Sequence, residues 1–431
     1  MSNEDPLTCA CVKQPLSSIK IRYSRKTYIL AFYTQTMSPE TSLAKRIKRH
    51  IIGRRRTYFA VTSPGLEDLC CKELSGLALP IEDLSTVRGG VEFKGRLQDC
   101  FQANMRLRTA NRILMRIDQF KASSFRQLEK KTAGIPWELY LPIKSIPEIH
   151  VTAGHCRLYH TDGVGERLLT GISRHWEEIG CRGDDKKGVA SQQTLFVRGL
   201  DDWFTVSIDS SGDHLHKRGI KRHHGEAPLR ETLAAASLLM TGYNGTAPLI
   251  DPMCGTGTFS LEAALIAKNI PPGWYREFAF MGWPSFHRHR WDFLKHQYEM
   301  QLTCPEKPLI FASDEDTSAC MRLEKCIKRH NLSGVISVSR NNFFEIIPRN
   351  FTDQTGWITI NPPYGRRLGN IEKSEQLYLR ICDRLSRYYR GWKLVLIAPN
   401  RKIEKKIPFK LDRFPFFHGG LKPILMLGTI T

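Results

Sequence analysis

The chain has 431 residues, of which 41% are apolar and 25% are charged, and its 64 Lys and Arg against 43 Asp and Glu give a formal charge of +21. At roughly 150 residues per domain, this length favours two or three domains. The ordinary apolar content excludes a disordered or disulfide-stapled chain. The positive excess favours a polyanionic partner. Nucleic-acid phosphates are the leading candidate, and an anionic membrane surface is the rival.

The sequence predicts neither a membrane span nor an export signal. The longest apolar runs, such as residues 28–33 and 394–398, are far shorter than the roughly 18 residues that a transmembrane helix needs. The N-terminus has no basic-then-apolar signal pattern. The twelve cysteines are scattered, and none has the two-residue spacing of a zinc or redox motif. We therefore expect reduced thiols, no metal, no membrane partner and a cytoplasmic location.

Residues 1–56 form a basic N-terminal arm with twelve Lys and Arg against three acidic residues. The arm has no sustained periodicity, and its last stretch, RIKRHIIGRRR, is typical of a solvated basic segment. One interpretation is a disordered tail, or residues upstream of a later start at Met37. The other is an arm that touches nucleic acid.

From residue 57 to 210 the pattern alternates between strands and helices. YFAVTS predicts a strand, SPGLEDLCCKEL predicts a helix capped by Ser63 with Pro64 at its first position, and GGVEFKG predicts a further strand. This alternation favours a small α+β module. After residue 210, a basic loop and an Ala- and Leu-rich helix lead into buried strands separated by helices. That pattern predicts a parallel α/β sheet over residues 211–431.

The segment LIDPMCGTGTFSLEAALIA, residues 249–267, predicts a cofactor site. A short strand ends at Asp251, and a turn containing Cys254, Gly255 and Gly257 leads directly into a helix. Small residues in such a turn let the backbone approach a ligand beside a helix N-terminus. The dinucleotide fingerprint and the phosphate-gripping Gly-Lys-Ser/Thr are both missing, which disfavours NAD and ATP. S-adenosylmethionine fits better, because it has no phosphates and carries a sulfonium and an ammonium group.

Two later strand ends extend this site. LIFASDED ends in an acidic cluster, in which Asp314 is placed to hold ribose hydroxyls. The alternative for this cluster is an acidic cap on the helix that follows. VISVSR leads into Asn341 and Asn342, where a polar side chain can reach the adenine amino group.

The segment WITINPPYGRR, residues 357–367, predicts the site of group transfer. A strand runs into Asn361, Pro362, Pro363 and Tyr364, and the two prolines stiffen the turn because neither donates a hydrogen bond. Methylation of an exocyclic amine requires acceptors for both N–H groups, since the nitrogen lone pair is delocalised into the ring. The Asn361 side-chain oxygen and the Pro362 carbonyl supply acceptors, and Tyr364 stacks on the base. The alternative is a proline turn that only closes a strand.

DPMCGTGT with NPPYG resembles the class I S-adenosylmethionine-dependent amino-methyltransferases. The remaining chain from about Tyr58 resembles, more narrowly, the 23S rRNA guanine-N2 methyltransferases that carry a THUMP domain. The motifs that carry this resemblance are FAVTSPGLEDLCCKEL, GGVEFKG, ANMRLRTANRIL, IPWE, SGDHLHKRGI and APLRETLAAASLL. The resemblance implies a ferredoxin-like and THUMP RNA-binding module over 57–210 and a Rossmann-like class I methyltransferase domain over 211–431. Many bacterial members continue into a second domain that makes 7-methylguanine. This chain stops at Thr431, so that second activity is not expected.

Residue by residue, the resemblance places Asp251, Gly255 and Gly257 against the amino-acid part of the cofactor and Asp314 on its ribose. It places Asn361, Pro362 and Tyr364 around a target guanine. Two positions depart from the family pattern: Met253 stands where the first glycine of the turn is usual, and Asn342 stands where an Asp is often found near the adenine.

Residues 271–308 separate the first strand from Asp314 and carry nine aromatic residues, among them Trp274, Trp283, Phe286 and Trp291. The segment is interpreted either as a flap or base-stacking surface over the cofactor, or as a satellite hydrophobic cluster. The segment is also rich in His and Arg, but its histidines lack partners at metal-ligand spacing.

A basic cluster just before the helix that leads into the catalytic domain predicts an RNA clamp near the active site, formed by Lys217, Arg218, Lys221 and Arg222. The alternative is a solvated linker.

A methyltransferase that acts on the N2 of guanine must reach a flipped or single-stranded base. The predicted function is methyl transfer to the N2 of a guanine in 23S rRNA. The alternatives are the same transfer to tRNA, methylation of DNA adenine or protein glutamine, and a non-catalytic RNA-binding assembly factor. The oligomeric state is not predicted.

Overall fold

The computed structural model describes residues 39–180, 193–221, 229–363, 371–416 and 422–431. Backbone contacts group the chain into two units, Met1–Ser42 and Leu43–Thr431. Within the first unit the described residues are 39–42, which begin the first helix. The predictions that involve Met37, Arg222 and Tyr364 lie outside the described residues.

Strands and helices alternate through most of the described residues, as the sequence patterns predict. The helices in the described residues are α1 Pro39–Ile47, α2 Glu67–Gly76, α3 Leu97–Arg106, α4 Phe125–Ala133, α5 Thr161–Glu178, α6 Glu231–Met240, α7 Thr258–Ala267, α8 Arg288–Glu299, α9 Thr317–Arg329, α10 Ile371–Tyr388 and α11 Arg401–Glu404. The strands there are β1 Arg56–Thr62, β2 Glu82–Val87, β3 Gly90–Gly95, β4 Ala110–Lys121, β5 Glu148–Gly154, β6 Thr194–Leu200, β7 Trp203–Asp209, β8 Leu249–Asp251, β9 Ile310–Asp314, β10 Ile336–Arg340, β11 Trp357–Ile360, β12 Lys393–Ala398, β13 Asp412–Pro415 and β14 Ile424–Thr429.

The last part of the basic arm is ordered, which corrects the expectation of a disordered tail there. A π-helix, Lys48–Ile52, continues α1. Its Ile51 and the preceding Ile47 are both buried in the core of the first sheet. Two isoleucines four residues apart lie on one face of a helix, so this face docks while the cations between them stay outside.

The first sheet has the strand order β2-β3-β1-β4-β7-β6-β5. Its first part, β1-α2-β2-β3-α3-β4, has the connectivity of a ferredoxin-like domain, and β4 also pairs antiparallel with β7, so the sheet continues into the next three strands. Alternation sets its faces: Tyr58 and Ala60 of β1 point into the core, and Phe59 points to the other side. The predicted Ser63 cap is wrong, because α2 begins at Glu67 and the Ser63 hydroxyl accepts a hydrogen bond from Asn111 instead.

The second sheet has the order β10-β9-β8-β11-β12-β14-β13. The first five strands of that order are parallel to one another, whereas β14 pairs antiparallel with both β12 and β13. Strands such as KLVLIA of β12 are almost wholly buried, as expected where helices cover both faces of a parallel sheet. The predicted Rossmann-like class I arrangement over the second half of the chain is confirmed.

The aromatic segment before β9 packs into the core of the first sheet. Phe280 and Trp291 are fully or almost fully buried there. Phe101 of α3 stacks on Phe280 with ring centroids 4.1 Å apart. This packing supports the hydrophobic-cluster interpretation over the flap, and the cluster joins the two halves of the chain.

Among the described residues, no helix is both long and apolar enough to cross a membrane.

Candidate functional site

The ends of two neighbouring parallel strands define the site. β8 lies between β9 and β11, and Leu249 and Ile250 of β8 pair with Trp357 and Ile358 of β11. The carboxyl ends of both strands therefore lie side by side, with Asp251 at one and Asn361 just beyond the other. The strand order reverses at β8, and ligands of open α/β sheets bind at such a switch point.

Two glycines with left-handed backbone shape the turn between β8 and α7. Gly255 has φ +51° and Gly257 has φ +74°. A Cβ on Gly257 would lie only 2.4 Å from Leu323 Cδ1, whereas a Cβ on Gly255 would meet no atom within 4 Å. Gly257 therefore lets α9 approach the turn closely, and Gly255 leaves open space beside the backbone where a ligand can lie.

The end of β9 holds the glycine turn. The Gly255 N–H donates to Asp314 Oδ2 at 2.8 Å, and the Cys254 N–H donates to the Ser313 carbonyl at 3.0 Å. Asp316 caps α9 by accepting from the Ser318 N–H at 2.8 Å. The helix-cap interpretation thus applies to Asp316, whereas Asp314 holds the turn, and its predicted contact with the ribose stays a prediction.

Asp251 lies beneath the turn and is 1% exposed. Its Oδ2 accepts from Ser260 Oγ at 2.6 Å and from the Ser260 N–H at 3.2 Å. Burial raises the pKa of Asp251 to about 7, and the bonds from Ser260 counteract this only in part. Asp251 therefore holds the start of α7 through Ser260. It does not line the neighbouring cavity, so its contact with the cofactor stays a prediction.

One cavity of about 660 Å³ joins the glycine turn to the end of β11. Its wall includes Cys254, Gly255, Asp314, Asn361 and Pro363 among the predicted residues, whereas Gly257, Asn342 and Pro362 do not line it. The hydrogen bond to the Cys320 thiol, followed by burial, raises the pKa of Cys254 well above its usual value, so this wall residue is a neutral thiol.

Asn361 carries a polar atom that lacks a partner. Its Oδ1 is buried and accepts no hydrogen bond from the described residues. A buried amide oxygen without a partner is costly in a folded protein, and it is satisfied when a ligand donor reaches it. Asn361 lines the cavity, and its role as an acceptor stays a prediction.

The third strand end contributes aromatic residues that the sequence interpretation missed. The Asn342 side chain accepts from the Phe344 N–H at 2.8 Å and so forms a local turn instead of facing the cavity. Phe343 and Phe344 line the cavity in its place, and Arg380 lies over the Phe344 ring at 4.1 Å. The signal in the sequence was the pair of phenylalanines that begins three residues after the end of β10. Glu315 and Arg322 also line the cavity.

Arg218 does not belong to an RNA clamp, which corrects the prediction. Its guanidinium is buried, with Nε 2.9 Å from Glu262 Oε1 on α7. A second nitrogen donates to the Arg108 carbonyl at 2.7 Å, and Arg108 donates to the Ile270 carbonyl at 2.9 Å. Arg218 is therefore occupied in joining the first sheet to α7, because a buried charge must be paired to be tolerated.

Lys221 is likewise buried and paired. Its Nζ lies 3.3 Å from Glu231 and 2.6 Å from the Thr258 hydroxyl, which begins α7 at the cavity. The Lys217 side chain is half-exposed and pairs with Asp213 at 2.8 Å, so it alone of the three described residues of the predicted clamp faces solvent.

Sequence reasoning also missed the residue that fixes this linker. The Arg276 guanidinium donates to the carbonyls of residues 211, 213, 214 and 217.

No cluster of three or more metal-ligating side chains occurs in the part of the chain that the structure describes.

Two domain families match the chain. The one described as "RMKL-like, methyltransferase domain" matches residues 218–413, and the one described as "RlmL ferredoxin-like domain" matches residues 57–114. The first range contains strands β8 to β12 of the second sheet with their helices, and the second contains the first half of the first sheet. The ferredoxin-like part of the fold prediction is thereby confirmed.

Two curated relatives are similar over most of this chain. A ribosomal RNA large subunit methyltransferase K/L from Methylococcus capsulatus is 31% identical over 87% of the chain and 51% of its own length. A putative RNA methyltransferase from Synechocystis is 31% identical over 86% of the chain and 96% of its own length. The chain thus spans about half the length of the large-subunit enzyme and nearly all of the second relative.

Solved structures show the same arrangement. A predicted N6-adenine-specific DNA methylase from Listeria monocytogenes superposes with a TM-score of 0.77 at 28% identity, over 86% of this chain and 96% of its own. A putative methyltransferase, SMU.472, complexed with SAH gives 0.76 at 26% identity, over 88% and 99%. Together with the Synechocystis relative, these matches show that the chain belongs to the RMKL-like methyltransferase family.

Proposed function

We propose that this protein transfers a methyl group from S-adenosylmethionine to the exocyclic N2 of a guanine in 23S rRNA. The observation that carries the proposal is one cavity whose wall includes both the glycine turn at Gly255 and Asn361 at the end of β11, where the buried Asn361 Oδ1 has no partner among the described residues. Donor and acceptor sites of a direct transfer must open into one space, because the reacting atoms meet at about 3–3.5 Å.

The residues at the glycine turn fit S-adenosylmethionine. The backbone is open at Gly255, the acidic side chains of Asp314 and Glu315 line the wall, and Phe343 and Phe344 supply flat apolar surface. Acidic groups suit a ligand that carries an ammonium and a sulfonium, and the aromatic pair suits adenine in place of the predicted Asn342. When bound, the cofactor supplies a methyl group on a positively charged sulfur. The SAH in the SMU.472 structure supports this choice.

The end of β11 fits an amine of a nucleobase. Asn361 Oδ1 accepts one N–H of the amine, and the Pro362 carbonyl remains the predicted acceptor of the second. Together they hold the nitrogen with its lone pair toward the donor. The role of Tyr364 in stacking stays a prediction. No general base is required from the described residues, since an alkylated amine loses its proton readily.

The RNA substrate is proposed from the N-terminal half and the charge. A ferredoxin-like domain precedes the catalytic sheet, its sheet continues through β7, β6 and β5, and the chain carries +21. We assign the continuation to the predicted THUMP domain. The name of the large-subunit relative supports rRNA as the substrate class, and the cytoplasmic location stays a prediction.

The test combines nucleoside mapping with one variant. 2-Methylguanine is quantified by mass spectrometry in rRNA and tRNA from cells with the chain, without it, and with Asn361→Ala or the exposed control Lys373→Ala. We expect the deletion and Asn361→Ala to lose one rRNA methylation, and Lys373→Ala to keep it. In purified enzyme we expect Asn361→Ala to lower kcat about 100- to 1,000-fold, as for removal of one preorganised polar contact.

The other outcomes separate the alternatives. Loss confined to tRNA reassigns the substrate. Unchanged 2-methylguanine in both RNAs removes the proposed activity, and full rescue by Asn361→Ala favours a non-catalytic RNA-binding role.

A further inference from the structure

The basic segment, which we define as residues 45–56, presents cations from a fixed position. Ile47 and Ile51 are 7% and 1% exposed and anchor it in the core of the first sheet. Arg46 also pairs with Glu138 at 2.6 Å. The segment lies before both matched domain ranges, which begin at residues 57 and 218. It therefore lies outside both matched ranges, and two buried isoleucines anchor it to the first sheet.

Several of these cations lack an acidic partner. Lys48, Arg49 and Arg54 are exposed and form no ion pair with the described residues, whereas Arg55 pairs with Glu82 at 3.2 Å. The pKa of His50 is lowered, first by desolvation and second by the positive charges of four surrounding arginines. Among these arginines, Arg54 has the largest effect. The segment therefore carries a concentration of positive charge that neighbouring carboxylates do not neutralise.

A groove of about 880 Å³ starts where the basic segment ends. Arg55 and Arg56 line its beginning, and Arg116, Arg198 and Trp203 line it farther along the sheet. Arg116 alternates along β4 with the core residues Met115 and Ile117, so the groove lies on the sheet face that points away from the core.

The groove combines charge with an exposed aromatic surface. Trp203 is 47% exposed, and Arg198 has no ion-pair partner among the described residues. Three acidic side chains also line the groove. Glu92 is paired with Arg116 at 3.0 Å, whereas Asp118, which accepts from the Gln119 N–H, and Asp201 remain as opposing charges.

We propose that the basic segment and this groove bind a single-stranded stretch of the substrate RNA, outside the catalytic cavity. The inference rests on the proposed function. Unpaired cations in a row contact phosphates, and an exposed tryptophan stacks on a base, which is the combination that single-stranded nucleic acid requires. A membrane surface would use the charge of the segment but, being flat, would not fill a groove that runs along the sheet.

The experiment measures binding of the full chain to a fluorescent RNA hairpin with a ten-nucleotide 3′ tail, and to the same hairpin without the tail. The variants are Arg49→Glu with Arg54→Glu, and Trp203→Ala. The matched control is Arg288→Glu with Arg290→Glu on the exposed side of α8, which changes the net charge by the same amount.

We expect the Arg49 and Arg54 variant to bind the tailed RNA about tenfold more weakly, with a salt dependence reduced by about 1.4 in log–log slope, because two phosphate contacts are lost. Trp203→Ala should weaken the tailed RNA about 5- to 100-fold and leave the blunt hairpin unchanged. The control variant should lose less than threefold. In methyl transfer, KM for RNA should rise while kcat stays the same.

Equal losses in the basic-segment variant and the control would overturn the proposal, because net charge alone would explain them. Unchanged RNA binding by the Arg49→Glu, Arg54→Glu variant would overturn it too. If this variant instead bound less tightly to vesicles that contain 30% phosphatidylserine, the segment would bind a membrane surface. If wild-type protein binds the tailed RNA as expected but methylates no guanine, the proposed function fails and the binding surface stands.

Discussion

The cavity edge of the second sheet and the joint between the two sheets both contain residue patterns that suggest function. At the cavity edge, Gly255, Asp314 and Asn361 come from three separate strand ends and line one space. At the joint, the basic linker before α6 and the aromatic segment around α8 suggest an RNA clamp and a flap, but Arg218 and Trp291 are buried in contacts with the protein itself. The difference lies in what each polar or aromatic group already contacts.

Unsatisfied groups distinguish the two regions. Asn361 keeps a buried oxygen without a partner among the described residues, whereas each guanidinium nitrogen of Arg218 donates to a carboxylate or a carbonyl. A group whose hydrogen bonds are complete has little to offer a ligand. The predictions below test this contrast, beginning with the joint.

Trp291→Ala should destabilise the protein by about 3–5 kcal/mol, because it empties a site between Phe278 and Phe280 in a closely packed core. Phe293→Ala, at an exposed position on the same helix, should cost less than about 1 kcal/mol. Urea unfolding measures both. SAH affinity of the folded Trp291→Ala protein should change less than twofold, and a large loss would restore the flap interpretation.

Arg218→Ala should also cost about 3–5 kcal/mol, since it leaves the Glu262 carboxylate buried without its partner. Lys217→Ala removes a half-exposed pair and should cost less than about 1 kcal/mol. Chemical denaturation of the two variants gives the comparison. A stable Arg218→Ala protein with weakened RNA binding would contradict the structural role and revive the clamp.

Gly257→Ala tests the cavity edge and should cost about 2–3 kcal/mol. The new methyl group would contact Leu323, and φ +74° is strained for a residue with a side chain. Gly255→Ala should cost about 1 kcal/mol from its backbone angle alone, but its methyl group enters the ligand space and should lower SAH affinity. Calorimetric titration and thermal unfolding separate the effects. Equal destabilisation by both variants would contradict the difference in packing between the two glycines.

Asp251 should make stability fall as pH rises, by at most about 1.4 kcal/mol per pH unit between about pH 4.5 and 6.5. In this window the unfolded carboxyl has ionised, while the native one, with its pKa of about 7, still holds its proton. The native state therefore binds more protons and loses stability as they are removed. Asp251→Asn should lack this decline. Parallel pH profiles for variant and wild type would contradict the assignment.

Much of the second sheet was predictable from local pattern. A buried strand followed by a glycine turn and a helix forms through neighbours in sequence, so LIDPMCGTGT and NPPYG identified both strand ends and some of the residues that line the cavity, such as Gly255 and Asn361. Asn342 was the wrong member of its segment, because the local turn to Phe344 decides where that side chain points.

Short-range periodicity and turn chemistry predicted an α+β half followed by a parallel α/β half, the glycine turn after β8 and the position of Asn361 after β11, and the family resemblance added the ferredoxin-like and Rossmann-like assignments. Only the tertiary structure decided that Arg218 and Lys221 are buried, that the aromatic segment belongs to the core of the other sheet, and that residues 45–56 are anchored. Burial and pairing depend on partners distant in sequence, such as Glu262 and Phe101, and a basic or aromatic run has the same composition whether it faces water or protein.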